Sequence, residues 1–298
     1  MEQRPRRMVE LHRRRAYRRH RPAHDAHSAH GAPDWGVPEL LTSDGVRLHY
    51  TCSGPDDAPR LVLLHGLGSD GTAGDEVIDA LGERLHVARL DLRGHGLSEA
   101  LVDPAKYEWF GRAAADVVEL MDRLGWDDAA VAGGSLGAAT AVAVALAYPD
   151  RLRRLGVFAP AFGAGPDAGN PMAHTFFTNV ASMGLMGVLD VLESLPEPLP
   201  RHVIEDARRN WSRQDDAAMR ACVTALADAV LLDDLADLDH VDVPALVVGH
   251  HGDLLHPWEL AESFAANLPH ARLVGFDSSA DVTPEAMADL LANFVTDL

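Results

Sequence analysis

The stretch DAAVAGGSLGAATAVAVALAYP, residues 128–149, joins two kinds of structure with almost nothing between them. Up to Gly134 it is a short run of small and branched apolar residues of strand length. From Leu136 it is small and apolar nearly throughout, as befits a helix buried on most sides, and Pro149 closes that helix. At the junction stands Gly133-Gly134-Ser135-Leu136-Gly137, a G-x-S-x-G. Glycines on both sides let the main chain bend sharply, and the bend lifts Ser135 onto a helix N-terminus, where developing negative charge is favoured. A strand feeding a helix directly is the building unit of a parallel sheet.

Outward from this unit the same alternation recurs. Upstream, RLVLLHG (60–66) reads as a buried strand, a helix is expected over about 73–85, and HVARLD (86–91) is the next strand. WFGRAAADVVELMDRLGW sets Phe110, Ala114, Val117, Val118, Met121 and Leu124 on one helical stripe, ended by Gly125. Before these, ELLTS and VRLHYTCSG look like an antiparallel hairpin closed by a two-residue Asp44-Gly45 turn. Downstream, RLGVFAPAF (about 154–162), PALVVGHHGD (244–253) and ARLVGFD (271–277) bring the strands to eight. The long interval between Phe162 and Val243 holds helices and loops without a strong strand, too much for a simple connection, and is expected to form a cap. Pro196, Pro198 and Pro200 mark a rigid turn within it. The organisation expected is an extension over 1–36, a core from 37–162 and 244–298, and a helical cap over 163–243.

At Ser135, in its strand-to-helix context, the sequence resembles the α/β-hydrolase family, whose nucleophilic serine occupies such a turn. Two further motifs carry the resemblance from about residue 39 to the C-terminus. His65-Gly66-Leu67-Gly68 directly follows the third strand, and Asp91-Leu92-Arg93-Gly94-His95-Gly96-Leu97-Ser98 matches the family's D-x-R-G-x-G-x-S loop after the fourth, whose usual role is structural. The resemblance implies an α/β-hydrolase fold, with an eight-stranded, mostly parallel sheet, helices on both faces and a helical cap. It implies Ser135 as nucleophile and the backbone N–H groups of Leu67 and Leu136 as the donors that bind an oxyanion, with His65 and Gly66 beside them as oxyanion- and substrate-binding residues. It also implies an acid after the penultimate strand, where VVGHHGDLLHP supplies Asp253, followed by Pro257 at a helix start.

The sequence departs from the family at the base. In the chain order Ser, Asp, His, the histidine should follow the last strand, yet LVGFDSSADVTPEAM (273–287) contains none. His270 precedes that strand, at the end of the sheet opposite the chemistry. Other imidazoles could stand in: His256, three residues beyond Asp253 on the loop that should face the site; His65 or His95, at strand C-terminal ends; and His174 in the cap. His256 is taken as the base in the leading reading, an enzyme acting on a small hydrophobic ester or acyl compound. The gap after the last strand keeps two others open: a non-hydrolytic lyase, cyclase or oxygenase on the same fold, and a ligand-binding relative without turnover. His250, His251, Asp253 and His256 have the chemistry of metal ligands, but adjacent strand residues point to opposite faces and the spacing matches no zinc motif, so no metal and no cofactor is expected. For the substrate, Phe162, Phe176 and Phe177, with Met172, Met183 and Met186, offer an apolar lining over Ser135.

The composition fits such an enzyme. Of 298 residues 47% are hydrophobic and 24% charged, ordinary for a globular chain. Residues 1–36 carry nine Arg against Glu2, Glu10, Asp25 and Asp34, a surplus of about five positive charges, which leaves 37–298 near −24 within a formal −19. A body that acidic repels phosphate backbones, so nucleic acid is not expected as a partner, and only the Arg-rich segment offers a surface for it. That segment has no apolar periodicity and is expected to be disordered. Cys52 and Cys222 read as small buried hydrophobes, and no stretch looks apolar enough to span a bilayer or act as an export signal. The expected location is the cytoplasm. Oligomeric state is not legible.

Overall fold

The computed structural model describes residues 38–164, 171–195, 199, 201–227 and 229–297. The Arg-rich segment 1–36 and the prolines 196, 198 and 200 lie outside the described residues.

Eight strands form one sheet in the order β1-β2-β4-β3-β5-β6-β7-β8. They are β1 (Glu39–Leu41), β2 (Arg47–Ser53), β3 (Arg60–Leu64), β4 (His86–Leu90), β5 (Ala129–Gly134), β6 (Leu152–Phe158), β7 (Ala245–His250) and β8 (Ala271–Phe276). β2 runs antiparallel to both neighbours, and every other pair is parallel. The hairpin between β1 and β2 closes on Thr42 and Val46 around a three-residue loop instead of two, with Gly45 at φ 83. The Thr42 side chain takes both Asp44 and the Val46 carbonyl as partners, which favours the longer loop.

Successive residues of the parallel strands serve opposite faces, so the strands are apolar on both sides. Leu61, Ala130, Ala132, Leu246 and Val248 pack with α1 (Asp75–Leu81) and α8 (Pro284–Thr296). Val62, Leu64, Val131, Val157 and Val247 face α2 (Gly111–Leu124), α3 (Leu136–Ala147) and α7 (Trp258–Asn267). In α3 every residue from Leu136 to Ala145 is buried, which is why small side chains fill it. The helix expected over 73–85 is shorter, because a 3₁₀ turn occupies Gly71–Gly74 and Gly82 at φ 57 ends α1.

Between β6 and β7 come α4 (Pro171–Glu193), α5 (Arg201–Trp211) and α6 (Asp216–Ala227). In length and hydropathy α4 could cross a membrane, a feature missed by looking only for an unbroken apolar run. It is broken at Gly184 (φ 77, ψ 171) and buries Val180, Leu185, Val188 and Leu189. The Arg220 guanidinium donates to the Ala181 carbonyl, tying α6 to α4. The connection from α5 to α6 reaches the sheet: Arg213 donates to the Asp70 carboxylate and to Thr72 Oγ1, and the Gln214 Oε1 accepts from the Gly96 amide. Cys52 is exposed on β2, against the expectation of burial, because it lies on the outer end of an edge hairpin; Cys222 is buried in α6.

Candidate active site

The turn between β5 and α3 has the backbone cost that its sequence suggests. Ser135 sits at φ 52, ψ −112, a conformation that non-glycine residues rarely adopt. Its amide donates to the Phe158 carbonyl and its carbonyl accepts from the Ala139 amide, so the bend is held from both sides. A Cβ at Gly133 would lie 2.6 Å from the Gly137 carbonyl carbon, and one at Gly137 would collide with the Leu64 carbonyl. These two glycines are therefore demanded by close approach, whereas a Cβ at Gly134 would meet only the Phe158 oxygen at 4.0 Å.

Beyond β7 the chain makes a compact turn. The Asp253 Oδ1 accepts from the amides of Leu255 (2.9 Å) and His256 (3.0 Å), curling the loop back on its own acid. That curl brings the His256 ring over the same carboxylate, with Nδ1 2.8 Å from Asp253 Oδ2. Its Nε2 then lies 2.9 Å from Ser135 Oγ. In the tautomer that lets the carboxylate accept, Nδ1–H donates to Asp253 and the Ser135 hydroxyl donates to Nε2. Pro257 follows as the N-cap of α7 and fixes where the loop ends. Burial by itself would raise the Asp253 pKa, but hydrogen bonds from the His256 ring and from the His256 and Leu255 amides, with the imidazole's charge, hold it below the ordinary carboxylate value. His250 also reaches this acid, Nε2 to Oδ2 3.2 Å, while His251 leans on the Trp258 ring at 4.6 Å.

The other histidines are committed elsewhere. His65 Nδ1 donates to the Gly66 carbonyl (2.8 Å) and its Nε2 accepts from the Leu92 amide (2.9 Å), so both nitrogens are occupied by the loops that they join. His65 therefore offers a ligand no free ring nitrogen, though it lines the cavity beside Gly66, and it holds the turn that carries Leu67. His95 is buried beside it, rings 5.2 Å apart, with Nδ1 3.1 Å from the Arg93 carbonyl. Burial, and after it the neighbouring His65, pull its pKa down to about 3. His174 is exposed on α4, and His270 pairs with Asp242 ahead of β8. Ser278 and Asp281 close on one another after β8, so that loop turns inward on itself.

On the oxyanion side, Gly66 packs against Ser135, since a Cβ there would lie 3.5 Å from the Ser135 Cβ. Leu67 follows it, and the Ser69 amide donates to the Gly66 carbonyl to turn the loop. Leu136 opens α3, where an amide has no carbonyl one turn earlier to bond. The two N–H groups thus come from the chain segments on either side of the serine. The 91–98 loop is a buried brace: the Asp91 carboxylate accepts from the Gly71 and Leu97 amides, and Arg93, wholly buried, forks onto Asp116.

The cap aromatics form a chain of ring contacts from Phe110 through Phe162, Phe177 and Phe176 to Trp211. Trp211 and Leu185 lie close over Gly68, which seats α4 and α5 on the loop after β3. Met172 and Met183, expected to line the pocket, are exposed, because they fall on the outer face of α4. Not foreseen was a cavity of about 180 Å³ walled by Leu63, Val77, Phe158, Met287 and Leu291 beside Gly66 and Gly134. Its residues come from seven separate elements and share no local pattern.

An eight-stranded sheet of this order, with a strained serine turn between β5 and α3, defines the class of fold. Residues 59–220 match the family model described as the alpha/beta hydrolase fold, and the chain belongs to that family. It is 31% identical over 261 residues to a pimeloyl-[acyl-carrier protein] methyl ester esterase of Aromatoleum aromaticum, covering 80% of this chain and 98% of that one. It is 24% identical over 260 residues to 3-oxoadipate enol-lactonase 2 of Acinetobacter baylyi, covering 83% and 91%. Among solved structures, an enol-lactonase from Burkholderia xenovorans LB400 superposes with a TM-score of 0.72 at 27% identity, covering 87% of this chain and 98% of that one.

Proposed function

We propose that this protein is a serine hydrolase of carboxylic esters in which acid and base share one loop. Ser135 attacks the ester carbonyl while His256 Nε2 takes its proton, and Asp253 stabilises the imidazolium that forms. The amides of Leu67 and Leu136 bind the oxyanion. His256 then protonates the departing alcohol, and water, deprotonated by the same imidazole, releases the acyl group. The observation that carries this reading is the relay from Ser135 Oγ to His256 Nε2 (2.9 Å) and from His256 Nδ1 to Asp253 Oδ2 (2.8 Å). The similar proteins include an esterase, a lactonase and a putative carbamate hydrolase, and the carboxylic ester is the bond that the first two names share. With an imidazole against the serine, the gap after β8 no longer favours non-hydrolytic chemistry.

A fluorophosphonate probe tests the proposal. It should label the wild type at Ser135 and leave Ser135→Ala unlabelled, while His256→Ala should slow both labelling and ester turnover by about 10⁴-fold or more. Undiminished labelling in His256→Ala would remove that residue from the mechanism.

A further inference from the structure

We propose that the cavity beside the serine turn is the subsite for the acyl group of the substrate, taking an uncharged apolar group no larger than a phenyl ring or a short alkyl chain, with Met287 setting its depth. The proposal rests on the reading of Ser135 as nucleophile. The cavity's position carries it. Gly66 and Gly134, which line it, are the residues that bracket Ser135, one across space and one along the chain.

Its walls come from β3, the 3₁₀ turn at Gly71–Gly74, α1, β4 and the ends of β5 and β6, with α8, and the loop that carries His256 contributes none of them. Since His256 must hand its proton to the leaving alcohol, the alcohol belongs on the His256 side, and the group that stays bonded to Ser135 Oγ belongs on the other. The segment after β8 leaves the space open, because Ser278 and Asp281 bond to each other and the chain passes directly to α8, whose Met287 and Leu291 form the back wall.

The chemistry of the lining selects the occupant. Leu63, Val77, Phe158, Met287 and Leu291 make it apolar. The charged groups at its rim are paired: Asp70 is held by Thr72 and Arg213, and Arg89 Nη1 donates to the Gly71 carbonyl and to Asp75, while the buried Arg89 Nε has no partner among the described residues. An incoming charge would find no free counter-charge. A volume of about 180 Å³ compares with the roughly 150 Å³ of an apolar cavity that takes up benzene.

The test is the ratio of kcat/KM for p-nitrophenyl hexanoate to that for p-nitrophenyl acetate, with folding checked by thermal unfolding. Met287→Trp and Val77→Phe, which fill the cavity from two different helices, should each lower the ratio about tenfold or more, and Met287→Ala should raise it for longer chains. Ratios that stay at the wild-type value in these variants, with Ser135 still labelled by the fluorophosphonate, would overturn the subsite and leave the hydrolase reading standing. If wild-type Ser135 resists the probe, both fall together.

Discussion

At the scale of single residues, the site depends on how tightly four atoms of one loop are held. Asp253 does two jobs with two oxygens: Oδ1 sets the turn through two amides, and Oδ2 orients the base. A spacing of three residues suffices because the turn, and not the sheet, brings acid and base together. Nearby, His95 shows how little of a histidine's chemistry survives burial. Its pKa falls to about 3, from an ordinary 6.5, mainly through loss of solvent. Below pH 6.5 the unfolded chain therefore takes up a proton on this imidazole that the folded chain refuses. Stability from this group is complete above about pH 6.5 and is lost as pH falls toward 3, with a slope of up to about 1.4 kcal/mol per pH unit. Urea titrations at pH 7 and pH 5.5 should show His95→Gln losing less stability between the two than the wild type. Equal losses would mean that His95 does not titrate as its burial requires.

At the scale of elements, the β5–α3 unit carries the greatest constraint. Leu64 of β3 presses against Gly137 at the start of α3, so the helix sits on the sheet with no room for a methyl group. Gly137→Ala should cost more than about 3 kcal/mol in chemical denaturation, while Gly134→Ala, whose added Cβ meets nothing nearer than 4.0 Å, should cost less than about 1 kcal/mol. Similar costs at the two positions would show that the turn can shift as a body. This unit was also the most legible part of the sequence. Its residues are contiguous, and a turn so tight admits few side chains. The β1–β2 loop was misjudged for the opposite reason: Asp44-Gly45 has the look of a two-residue turn, but the Thr42 hydroxyl binds its own side of the loop and lengthens it.

At the scale of the whole molecule, the helices between β6 and β7 share the main apolar core through Val180, Leu185, Met219 and Leu226, are bonded to Tyr107 and Trp109 through the Ala218 and Cys222 carbonyls, and meet the loops after β3 and β4 by polar contacts at the α5–α6 turn. Arg213 reaches the Asp70 carboxylate and Thr72, and Gln214 meets Gly96. Asp70 is nearly buried while Arg213 is partly exposed, which reduces the worth of the pair but leaves the acid poorly solvated when its partner goes. Arg213→Ala should therefore lower overall stability by only about 1 kcal/mol and yet speed proteolytic cleavage within 171–227 under native conditions. Cleavage at the wild-type rate would mean that the aromatic chain ending in Trp211 holds this region without the ion pair.

The sequence by itself determined the architecture and placed Ser135 on the strand-to-helix turn, because hydrophobic period, glycine placement and strand-to-helix spacing are local properties that the chain must satisfy wherever it folds. It also narrowed the proposed acid to Asp253 and the proposed base to a few imidazoles. Which imidazole meets the serine was decided only by the tertiary structure: His65, His95 and His256 are all near strand ends in sequence, and they differ in which of their nitrogens the surrounding backbone consumes. The cavity behind the turn was likewise invisible, since Val77, Phe158 and Met287 become neighbours only when separate elements close around the same space.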